Sequence, residues 1–148
     1  MRVIHTMAIT YRAICRGERP WTALGDFLNE WWDYSKTSRA RLIHEAITLP
    51  ATPTQEQRQW AAFCAATVGW LCQQDHIPCP AWVQQVEFRL AEPWYLAFRP
   101  DDPNVRERLE QQTPEPFRRR NIYGGNRLFA NKYDWAKEDV GVRGEHGK

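Results

Sequence analysis

Apolar positions along the first half of the chain recur at helical spacing. Residues 6–16 form a short amphipathic run that stops near Gly17. A second run opens after Pro20 in RPWTALGDFLNEWWDYS. There Trp21, Leu24, Phe27, Leu28 and Trp31 repeat on one face, with Trp32 beside them. A third, SRARLIHEAITL, carries Leu42, Ile43, Ala46 and Ile47 as its stripe and is expected to end at Pro50. The clearest helix is the fourth. Thr54 followed by Gln57 matches a capping box, in which each side chain satisfies the other residue's backbone amide. From there to about Asp75, strong helix formers surround Trp60, Phe63, Cys64, Thr67, Trp70 and Leu71, which predicts the central helix of a bundle.

Beyond that helix the pattern changes. Prolines recur from Pro78 to Pro116, and each favours a turn or a helix start over continuous helix. Short helices are expected at 80–85, 93–97 and 103–110, the last with Asp102 as N-cap and Pro103 in its first turn. An arginine-rich box, a Gly124-Gly125 break and a short helix over NRLFANKY (126–133) follow. No segment alternates strictly enough to predict a strand. The expected fold class is therefore all-α. One domain covers 1–136: a bundle of about four helices, then a proline-rich segment with short helices. From residue 137 the chain is polar and glycine-bearing, and 137–148 is expected to be a disordered tail.

Composition refines this picture. A chain of 148 residues fits one domain and can bury about two-thirds of its unfolded surface. The longest mostly apolar run, residues 60–72, is shorter than the roughly 20 residues that span a bilayer. The N-terminus lacks an apolar stretch followed by a small-residue cleavage site, so a cytoplasmic location is expected, with no membrane association. A net charge of +2 is weak for a dedicated nucleic-acid binder. Arginine far outnumbers lysine, however, and there are eight tryptophans, a high count for a small core. Trp, Tyr and Arg dominate binding hot spots, so some of these side chains are expected to face a partner.

Candidate chemistry is sparse. Cys72, His76 and Cys79 fall at spacings of four and three, compatible with three metal ligands around a helix end. No paired cysteines of a structural zinc site accompany them, and reduced cysteines serving as small core residues explain them as well. No metal or other cofactor is expected. Arg39 and His44 loosely match the Arg-x4-6-His pattern of HEPN ribonucleases, in which histidine acts as acid or base and arginine steadies phosphate charge. Five residues apart on a helix, they point in different directions. Phosphate-binding glycine loops, nucleophile elbows and His-Glu-x-x-His pairs do not occur, and no catalytic residue is assigned.

The box FRRRNIY (117–123) admits three readings. On a helix Arg118, Arg119 and Arg120 fan over about 200°, so they cannot all serve one flat surface. They can be structural, with heads paired to Glu115 or Glu110; they can touch phosphates; or, with Phe117, Ile122 and Tyr123, they can enter a protein interface.

In combination, HIPCPAW (76–82), EPWYLAF (92–98) and FRRRNIY (117–123) resemble a group of small bacterial helical proteins. In that group a PVPAW-like turn, a PWF-like element and an FRRRGIF or FRRRNIF box occur in the same order. The resemblance covers residues from about 55 to 130, leaves the first 50 unmatched, and has Tyr123 where phenylalanine is usual. Such proteins accompany nucleotidyltransferase-like proteins in the manner of toxin–antitoxin pairs. The resemblance therefore implies an antitoxin-like protein that neutralises a partner toxin, and it implies no catalytic residues. The contact residues expected are Phe117, Arg118, Arg119, Arg120, Tyr123 and Trp94. A HEPN-like ribonuclease using Arg39 and His44, and a DNA-binding autoregulator, stand as alternatives.

Overall fold

A computed structural model describes residues 4–126 and 128. Its architecture is all-α, with six α-helices: α1 (Met7–Cys15), α2 (Pro20–Asn29), α3 (Arg39–Ile43), α4 (Gln55–Asp75), α5 (Pro103–Gln112) and α6 (Glu115–Arg118). Two short strands, β1 (Trp94–Tyr95) and β2 (Ile122–Tyr123), form a parallel pair.

Helix α4 is the axis. The capping box forms as expected: Gln57 N donates to Thr54 Oγ1 at 3.0 Å, and Thr54 N donates to Gln57 Oε1 at 2.9 Å. From Trp60 to Val68 every residue is buried, so the helix is enclosed on all sides rather than half-exposed. Its alanines let neighbouring elements approach closely. Helices α1 and α6 and two 3₁₀ turns, Ala81–Gln84 and Val86–Phe88, pack against it. At its C-terminus His76 takes the left-handed conformation, φ 55°, and the chain reverses.

The second and third helices depart from the sequence pattern. Helix α2 gives way to a π-helical turn, Glu30–Tyr34, in which Ser35 N bonds to Glu30 O at 2.8 Å. The Glu30 side chain is buried there and accepts from Ser35 Oγ at 2.8 Å and His5 N at 3.3 Å. Trp31 is fully enclosed, whereas Trp21, expected on the same apolar face, stays half-exposed with its edge on Trp60 and Phe63. Helix α3 stops at Ile43, well short of Pro50. The Ile43 carbonyl, which a longer helix would give to the Ile47 amide, accepts instead from Trp82 Nε1 at 2.9 Å. Ile47 is buried without being helical, and Ala46 is exposed.

The proline-rich half holds one further correction. Residues 93–97 are not helical: Trp94 N and Leu96 N donate to Asn121 O and Tyr123 O at 2.8 and 2.9 Å, which holds β1 extended. Aromatic side chains suit that conformation. Helix α5 follows expectation, with Asp102 Oδ1 accepting from Asn104 N and Pro103 at its start. The short helix expected at 126–133 and the tail at 137–148 lie outside the described residues, except for Asn126 and Leu128. Among the described residues no helix is long and apolar enough to cross a membrane.

Candidate partner-binding site

The arginine box is built on a turn knitted to α5. Thr113, at the end of that helix, donates its hydroxyl to Leu109 O at 2.6 Å and accepts from Gly125 N at 2.8 Å. Gly125 has φ +85°, a conformation that favours glycine, and this lets the chain return to Thr113. Between these points α6 makes a single turn. Asn121, with φ 65°, reverses the chain into β2, and its Nδ2 donates to Leu90 O at 2.7 Å.

On this frame the three arginines diverge. Arg118 is exposed; its Nε donates to Thr113 O at 2.7 Å, and the side chain lines an open cleft. Arg119 is exposed and forked onto Glu115, with a further bond to Gln84 Oε1 at 3.2 Å. The hydrogen bond from Arg119 holds the Glu115 carboxyl below its usual range, and the same bond raises the guanidinium. Arg120 turns inward and is only 2% exposed. Its Nη1 and Nη2 donate to Pro116 O at 2.6 Å and Val83 O at 2.7 Å. Burial, and then the neighbouring Arg119, lower its pKa to about 10, so it remains a buried cation at neutral pH.

Phe117 also lies inside, fully buried with its ring 5.3 Å from Phe63. In this conformation neither Phe117 nor Arg120 offers a side chain to a partner. Trp94 is half-buried, edge-on to Trp60 at 5.2 Å. Tyr123 is half-buried and stacks on Tyr95 at 5.0 Å with an interplanar angle of 20°.

The cleft measures about 440 Å³ and is lined by Glu110, Glu115, Arg118, Arg119 and Tyr123. Sequence reasoning missed its supporting wall. Arg106 sits 4.5 Å over the Tyr95 ring, and the Tyr95 hydroxyl donates to Glu110, which raises the Tyr95 pKa. It also missed Phe98, 99% exposed beyond β1. The available signal was an aromatic two residues before Pro100, at the end of an apolar run that opens after Pro93.

The alternative residues are not gathered into one site. Arg39 donates from Nε to Trp31 O at 2.8 Å, lies 5.2 Å over the Trp31 ring and pairs with Asp75 at 3.6 Å. His44 follows the end of α3 and is exposed. Among the described residues no group of three metal-ligating side chains occurs; Cys72 instead points its thiol toward Pro78 O at 3.9 Å. No protein family, curated protein or solved structure matches this chain.

Proposed function

We propose that this chain is a cytoplasmic bacterial antitoxin-like protein that binds and neutralises a toxin, an enzyme of nucleotidyltransferase type. The observation that carries the reading is Arg118, fixed at Nε by the Thr113 carbonyl and lining an open cleft together with Tyr123 and Arg119. A pre-positioned arginine loses little freedom on binding, and a guanidinium fork suits the paired carboxylates that hold magnesium in such an enzyme. The resemblance of residues 76–82, 92–98 and 117–123 to antitoxin-like proteins supports the choice of partner. The contact set is Arg118, Arg119 and Tyr123, extended by exposed Phe98 as an apolar contact.

The test is co-expression with the protein encoded beside it. The neighbour alone should arrest growth, and the full chain should restore it and co-purify with it in fixed ratio. Arg118→Glu should abolish rescue while leaving the chain folded, because that side chain is exposed. A neighbour that is harmless alone, or an Arg118→Glu/Arg119→Glu chain that still rescues fully, would overturn the reading.

A further inference from the structure

A second cavity, of about 250 Å³, adjoins the Arg118 cleft and shares Glu115 and Arg119 with it. Cys72 and Cys79 share it with Gln73, Gln84, Arg119 and Arg120. The two cysteines meet there because α4 ends in a tight reversal. The Cys72 carbonyl accepts from the amides of both His76 and Ile77, the latter at 2.9 Å, and left-handed His76 turns the following residues back along the helix. Cys79 is exposed, while Cys72 is 3% exposed and sits behind it.

We infer that Cys79 is a site of oxidation by hydroperoxides and that Cys72 completes the reaction as an intramolecular disulfide. The assignment rests on three features found together: an accessible thiol, a second thiol beside it, and two guanidiniums lining the same cavity. Thiols beside arginine and open to solvent are the ones that react, and a neighbouring thiol converts the first product to a disulfide before further oxidation. Burial, and then the adjacent Cys79, push the Cys72 pKa up to about 12, so Cys72 stays a thiol while Cys79 meets the oxidant.

The chemistry balances in two steps. The Cys79 sulfur attacks one peroxide oxygen, the oxygen–oxygen bond breaks, and the other oxygen leaves with the thiol proton as water or an alcohol. The Cys72 sulfur then attacks the sulfenic sulfur of Cys79. The sulfur–oxygen bond breaks, and its oxygen departs as water with the Cys72 proton. Two thiols are oxidised, and one hydroperoxide is reduced.

The full chain contains four cysteines. After brief treatment with hydrogen peroxide, titration of thiols in denaturant should fall from four to two. Cleavage before Asp75, which separates Cys72 from Cys79 in sequence, should leave the fragments joined until a reductant is added. Cys79→Ser should keep all its remaining thiols, and Cys72→Ala should instead accumulate a sulfenic acid at Cys79 that dimedone traps. Cys79→Ser changes an exposed position, so it keeps the test valid if Cys72→Ala fails to fold. Four surviving thiols at a peroxide dose that consumes free glutathione would overturn the proposal. So would a disulfide that links two chains or involves Cys15.

Discussion

Arg120 and Arg118 are two residues apart, yet removing them should have very unequal consequences for stability. Arg120→Ala strips hydrogen bonds from the Val83 and Pro116 carbonyls inside the protein. The expected loss is on the order of 2–4 kcal/mol, read from urea unfolding. Arg118→Ala gives up one bond at the surface and should cost about 1 kcal/mol or less. Equal losses would contradict the inward turn of Arg120. An alanine replacement of all three arginines therefore confounds folding with binding. That three consecutive arginines diverge on a helix was legible, and pairing of the box to Glu115 or Glu110 was one of the readings left open. Which one turns inward was not, because its acceptors include a carbonyl in the distant 3₁₀ turn Ala81–Gln84.

Among the elements, those with local signals were the most legible. The Thr54–Gln57 box and the Asp102–Pro103 start depend on neighbours within three residues, and both occur where the sequence places them. Thr54→Ala should destabilise the protein by about 1 kcal/mol in the same unfolding assay. The end of α3 and the pairing of β1 with β2 depend instead on partners far along the chain, Trp82 and residues 121–123, so periodicity alone could not reveal them. The strand pair also has a pH signature. Glu110 accepts from the Tyr95 hydroxyl and raises its pKa above the unfolded value near 10. The bond's contribution is therefore complete below about pH 10 and fades as pH rises through the folded value. Tyr95→Phe should flatten that part of the stability curve when unfolding is followed at successive alkaline pH values.

For the whole molecule, Phe63 is the junction. Its ring meets Trp21, Trp60, Trp94 and Phe117, which ties the N-terminal helices, the strand pair and the arginine box to α4. Phe63→Ala should cost about 3–5 kcal/mol and collapse the near-ultraviolet circular dichroism of the tryptophan cluster. If only local signal were lost, the two halves would be independent. The sequence identified α4 as central and the fold as all-α, because a helix buried on every side needs an unbroken run of helix-forming residues. It could not show that Phe117, read as a surface contact, completes the core.

That late completion matters while the chain is being made. Trp82, Val83, Phe88, Phe117 and Ile122 cover α4 but follow it in sequence. Roughly fifty residues separate the end of α4 from the end of β2, so ribosomes moving at about 5–20 residues per second leave its apolar flank bare for roughly 2–10 s. During that interval the nascent chain offers any chaperone at the ribosome exit a greasy helix without its cover. Premature termination anywhere in the proline-rich half would leave that helix permanently uncovered, a substrate for aggregation or proteolysis rather than a smaller working protein.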